Sequence, residues 1–138
     1  MAVTPHLAGE EKLDKLASRF VDVAALPWRG TRIDGVDMKV LLEEPESGLM
    51  TALVRFAPGA KLPPHEHVEI EQSYVLEGSL EDPEGITTAG NYVWRPAGSR
   101  HIAWSPNGAL VLAMYLRPNV FLDQHAGEQL KANATKMK

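Results

Sequence analysis

Residues 59–78 read GAKLPPHEHVEIEQSYVLEG, and two histidines, His65 and His67, follow the paired prolines Pro63 and Pro64. In an extended strand alternate side chains share a face. His65 and His67 therefore aim two imidazoles at one point. Glu71 has the same parity, although Val68, Glu69 and Ile70 lie between, where a bend can break the phase. Glu69 shares that parity and competes as the carboxylate. Taken alone, a His-x-His pair reads equally well as two solvated surface histidines. Ser73 and Val75 follow Glu71 in phase, so a cavity reached by Glu71 is lined by small and apolar side chains.

A second stretch, residues 90–105, reads GNYVWRPAGSRHIAWS. Pro96 and Gly98 mark a turn, and His101 opens the strand that follows, with Ala103 in phase behind it. If the two strands are neighbours in a closed barrel, His65, His67, Glu71 and His101 converge. Three imidazoles and one carboxylate form a borderline-hard donor set for one divalent ion. Fe(II) and Zn(II) fit it best, with Mn(II), Ni(II) and Cu(II) as further fits. On an octahedral ion four protein ligands leave two positions open, as a chelating substrate or dioxygen requires. A tetrahedral zinc would be closed and structural.

The rest of the chain is consistent with a barrel. Its 138 residues suit one domain. After Pro27, short apolar runs at 38–43, 49–57, 71–76, 91–95, 102–105 and 109–117 alternate with Gly- and Pro-containing turns. That spacing predicts an all-β sandwich or barrel and leaves no room for alternating helices. Ahead of it, Leu13, Leu16, Ala17 and Phe20 recur at helical spacing, which predicts a short amphipathic helix over about 10–20. Residues 118–138 form a polar tail.

Composition narrows the partners. The net charge of −4 offers no basic field for nucleic acid or an anionic membrane. The longest apolar run, 109–116, is too short to cross a bilayer as a helix. No cysteine is present, which removes disulfides, thiolate metal sites and cysteine nucleophiles and suits a reducing cytoplasm. Arg55, inside an apolar run, is a solvated-face residue or else a cavity cation that orients an anionic substrate. Arg100 is expected to point away from His101. Trp28, Trp94 and Trp104 suit core or interface positions, and His6 and His125 are solvated near the termini. The apolar strand at 109–116 and the N-terminal helix favour a homodimer.

With these residues in hand, the chain resembles the cupin superfamily. The first cupin motif is matched by Gly59, His65, His67, Glu71 and Gly78. The second is matched by Gly90, Pro96, Gly98 and His101, with Ser105 where asparagine is usual. The resemblance implies a small RmlC-like jelly-roll barrel with a metal bound inside by the three histidines and Glu71. The connection from Gly78 to Gly90 is short. With the run Tyr74-Val75-Leu76-Glu77-Gly78-Ser79, it is similar to the cupin domain of ChrR-type anti-sigma factors and to small dioxygenases that cleave acetylacetone or dihydroxyacetophenones. The first thirty-odd residues lack the cysteine-bearing sigma-binding domain of such anti-sigma factors. The expected function is a non-heme metal-dependent dioxygenase acting on a small diketone or hydroxyketone. The rivals are a zinc-binding sensory or regulatory module and a metal-dependent isomerase.

Overall fold

The computed structural model describes residues 1–122, so the expected tail falls outside it from residue 123 on, His125 included. Among the described residues ten strands run in chain order. They are β1 (Arg29–Gly30), β2 (Val36–Glu44), β3 (Leu49–Phe56), β4 (Ala60–Glu66) and β5 (Glu71–Asp82), then β6 (Gly85–Thr88), β7 (Tyr92–Arg95), β8 (Arg100–Ser105), β9 (Ala109–Tyr115) and β10 (Val120–Phe121). The hydrogen-bonded order is β1-β2-β3-β9-β5-β8-β4-β10, and β6 and β7 both pair with β5. All pairings are antiparallel, and the sheet curls into a barrel.

Period-two patterning decides which face turns inward. Along β3, Met50, Ala52, Val54 and Phe56 are buried. Along β9 the buried set is Ala109, Val111, Ala113 and Tyr115. Val36, Met38 and Val40 of β2 complete the apolar side of the core. Each large aliphatic side chain so buried contributes roughly 1.5–3 kcal/mol of transfer free energy.

β5 ties the barrel together. Its first part, through Gly78, pairs with β9, and Ser79–Asp82 pair with β6. A register shift between Val75 and Glu77 bends the strand where it changes partners. Glu77 and Gly78, read from sequence as a turn, therefore lie inside a twelve-residue strand. Gly78 has φ +72, and a Cβ there would sit 1.9 Å from Gly108 O. Glycine is required at this point because the Gly108 backbone crosses where a side chain would begin.

Pro63 and Pro64 also lie inside a strand, β4, at a register shift between Leu62 and His65 in the pairing with β8. A proline cannot donate to a ladder, and a bulge is where that loss is tolerated.

The expected helix over 10–20 does not form. In its place are a single 3-10 turn, Glu10–Lys12, and irregular chain; a second such turn lies at Val23–Ala25. The segment is shorter than the length at which an isolated helix becomes stable. Its apolar stripe finds no surface to cover, since Leu16 and Phe20 are 93% and 89% exposed. The N-terminal chain is held instead along β2. Val3 bridges Glu43, Thr4 Oγ1 donates to Leu41 O at 2.7 Å, and Lys39 Nζ donates to Val23 O at 2.9 Å. Among the described residues no helix is long and apolar enough to cross a membrane.

Candidate metal centre

β4 and β8 pair with His65 opposite His101, so the sheet register sets two imidazoles side by side. His67 follows the end of β4, and its backbone is clipped to the turn before β8. His67 N donates to Ser99 O at 2.9 Å, and Gly98 N donates to His67 O at 2.6 Å. The three rings lie 4.5–5.0 Å apart between centroids. One nitrogen from each falls within 4.8 Å of the others, a group that could hold a metal ion. His65 and His67 are each 1% exposed. Phe121 of β10 packs 5.5 Å from the His65 ring.

The tautomers of two histidines follow from their partners. His65 Nδ1 lies 2.8 Å from Pro63 O, a carbonyl that only accepts. His67 Nδ1 lies 3.0 Å from Ser99 Oγ, and that hydroxyl already donates to Pro96 O at 2.7 Å. Both Nδ1 atoms therefore carry the proton, and both Nε2 atoms present lone pairs.

Glu71, at the start of β5, brings Oε2 to 2.9 Å from His67 Nε2. Both atoms are buried, and neither has a partner in hydrogen-bond alignment. A carboxylate oxygen and a neutral imidazole lone pair facing each other at this distance repel, and either a proton on the imidazole or a metal ion held by both relieves the repulsion. The residues present thus fit a divalent ion on the chemistry of their donor set. Glu71, not Glu69, is the carboxylate at His67.

The surroundings tune these groups. Burial holds His65 below the usual imidazole range. Burial, with the Arg95 guanidinium and the two other histidines, takes His101 down to about 4. Burial works to raise Glu71, but in the ion-free site a protonated His67, with the charges of His65 and Arg95 behind it, outweighs burial and holds the carboxyl below its ordinary value. Tyr115 is pushed well above the usual phenol range by burial and by the Glu71 charge. In register, Glu71 stands between Arg95 on β7 and Tyr115 on β9.

Arg55 is not brought to the cluster. Val54 and Phe56 take the inward positions of β3, so Arg55 faces out. There it pairs with Asp37 at 3.1 Å and stacks 4.0 Å over the Trp28 ring. Arg100 is exposed and pairs with Glu66 at 2.8 Å, at the rim of the cavity that His101 also lines. Ser73, Val75 and Ala103 are buried. Ser105 donates its hydroxyl to Ser79 O at 2.7 Å, a packing role.

Sequence reasoning missed Ser99, Asp82 and Arg95. Arg95 was within reach, because period two along β7 turns Tyr92 and Trp94 out and Arg95 in. Asp82 was masked by its turn-forming setting, Asp82-Pro83-Glu84-Gly85. A cavity of about 440 Å³ opens beside these groups, lined by Asp82, Tyr92, Trp94, Arg95, Ser99 and His101 among others. A smaller apolar cavity of about 220 Å³, with His6, Leu26, Trp28 and Met38 in its wall, shares no residue with the histidine site.

A family model described as the ChrR cupin-like domain matches residues 17–119. The chain belongs to the ChrR cupin-like family. Solved structures agree on the fold of this cupin. An acetylacetone dioxygenase from Acinetobacter johnsonii superposes with TM-score 0.72 at 19% identity, over 83% of this chain and 85% of that one. A protein of unknown function with a cupin-like fold from Ralstonia eutropha JMP134 gives 0.71 at 29% identity, over 83% and 76%. The anti-sigma ChrR of Rhodobacter sphaeroides, in complex with SigE, gives 0.58 at 22% identity, over 67% of this chain and 50% of that one. No curated protein matches this cupin.

Proposed function

We propose that this cupin is a non-heme metal-dependent dioxygenase that cleaves a carbon–carbon bond in a small diketone or hydroxyketone. The observation that carries the reading is the buried pair of facing acceptors, His67 Nε2 and Glu71 Oε2, beside two further imidazoles. His65, His67, Glu71 and His101 would hold the ion. When bound, a redox-active divalent ion supplies Lewis-acid polarisation of a chelating enolate and one-electron chemistry toward dioxygen.

The chain's own residues do the rest. Pro63 O and Ser99 Oγ fix two imidazoles with their lone pairs facing inward. Val75 and Ala103 keep part of the interior apolar, which excludes water from a reactive site. With a dication, the charges of Glu71, Asp82 and Arg95 leave the site one positive charge, matched by a monoanionic chelator such as a 1,3-diketonate. The name of the A. johnsonii relative supports this substrate class. The same reading takes the protein as a homodimer, supported by the exposed outer-face residues Tyr74, Leu76, Tyr92 and Trp94. Sedimentation at micromolar concentration then reports two chains.

Elemental analysis of protein purified without added metal, followed by oxygen uptake against β-diketones and hydroxyacetophenones, tests the reading. Near-stoichiometric iron, oxygen consumption with one of these substrates, and loss of both in His65→Ala are expected. An iron-loaded protein that consumes no oxygen with any of them overturns it.

The family match favours a second reading, a non-catalytic regulatory cupin. It predicts near-stoichiometric zinc, no turnover, and a melting temperature that rises with a small-molecule ligand.

A further inference from the structure

Asp82 and Arg95 form an ion pair with side chains 5% and 10% exposed, to which the reaction above gives no task beyond its charge. Taking two charges out of water is costly unless further contacts satisfy them. Asp82 has such contacts on both oxygens. Oδ1 accepts the backbone N–H groups of Glu84 at 2.7 Å and Gly85 at 3.0 Å, closing the β5–β6 hairpin. Oδ2 meets Arg95 Nη1 and also lies 3.4 Å from His101 Nδ1. With one oxygen pinned by the turn, the other has little freedom in where it points.

The three site histidines differ at Nδ1. His65 has a carbonyl there and His67 a hydroxyl. His101 Nδ1 is buried and has no partner in hydrogen-bond alignment. The carboxylate facing it, within ion-pair reach, is Asp82. Metal-binding histidines are ordinarily oriented by an acceptor at the far nitrogen, and its loss typically weakens metal binding 10–100-fold.

We propose that Asp82 is the positioning residue of His101: with a small turn of the ring from the 3.4 Å contact, its Oδ2 accepts the Nδ1–H, which leaves Nε2 for the ion, and Arg95 holds the carboxylate in place. The inference rests on the metal-centre reading. It makes the β5–β6 hairpin turn a working part of the site, since the same side chain closes the turn and aims the ligand.

The test compares the wild type with Asp82→Asn, using Zn(II) as the probe. An asparagine keeps an acceptor for the Glu84 and Gly85 N–H groups. It then turns an amide N–H toward His101 Nδ1, favouring the tautomer with its proton on Nε2. The expected result is a 10–100-fold higher zinc Kd in competition with a chromogenic chelator. A second expectation is that histidine-labelled nitrogen NMR of the metal-free proteins shows His101 protonated at Nδ1 in the wild type and at Nε2 in the variant. A purely structural role would lower the melting temperature without moving the tautomer. Equal Kd values overturn the positioning role and leave the metal centre standing. A wild type that does not bind zinc overturns both. If Asp82→Asn does not fold, the wild-type spectrum still decides: His101 protonated at Nε2 overturns the proposal.

Discussion

Ser99 donates its hydroxyl hydrogen to Pro96 O, so toward His67 it has only lone pairs to offer. One small side chain thereby decides which nitrogen of a neighbouring ring is free. Ser99→Ala removes that instruction while leaving the backbone contacts between His67 and the 98–99 turn intact. A zinc Kd raised roughly tenfold or more is expected, with Ser99→Thr close to wild type. An unchanged Kd in Ser99→Ala would show that His67 is oriented by the clip alone. That the three histidines and Glu71 come together was legible in the sequence, because a histidine pair at strand parity, a carboxylate and a third histidine form a recognisable spacing. Ser99 and Asp82 were not, because both sit in turn-forming stretches and act on other side chains; Arg95 left only the inward phase of a four-residue strand.

At the scale of the element, β5 carries the strongest local constraint. At Gly78 the ideal Cβ position falls 1.9 Å from a backbone carbonyl oxygen, and neither backbone is a flexible side-chain end that can swing aside. Gly98 also has positive φ, +87, yet nothing lies within 4 Å of its Cβ position. Comparing alanine at the two sites separates close approach from backbone strain. Gly98→Ala should lose about 1 kcal/mol or somewhat more from strain alone, and Gly78→Ala at least about 2 kcal/mol beyond that. Thermal melting reads both; equal losses would refute the close approach. The period-two strands β2, β3 and β9 were visible in sequence because burial on one face imposes alternation. The first part of β4 and the second part of β5 were hidden because proline and glycine, ordinarily punctuation, sit there at a bulge and a crossing. The N-terminal stripe misled for the opposite reason: helical spacing was present without a surface to bury it.

For the molecule as a whole, the buried site predicts acid sensitivity in the metal-free state. His101 is held near 4 against an ordinary 6.5, so between those values the unfolded chain binds a proton that the folded one refuses. Stability therefore rises with pH across this window and falls as pH drops through it. Glu71 and Asp82, both held below their ordinary values, act in the same sense further down, as falling pH protonates them. Between pH 7.5 and pH 5, His101 alone should cost the fold about 2 kcal/mol. Urea titrations of chelator-treated protein at the two pH values read this directly. A midpoint that does not move would mean the imidazole charges freely in the fold.

The backbone bonds between His67 and residues 98–99 also bear on how an ion would enter the histidine cluster. The three clustered histidines come from two stretches far apart in sequence, and those stretches are already fastened to each other by the main chain. The entropy of bringing them together is spent during folding, before any ion arrives. Any ion the site takes would then be a tenant rather than a rivet, since the main-chain bonds that join the two histidine-bearing stretches form without it.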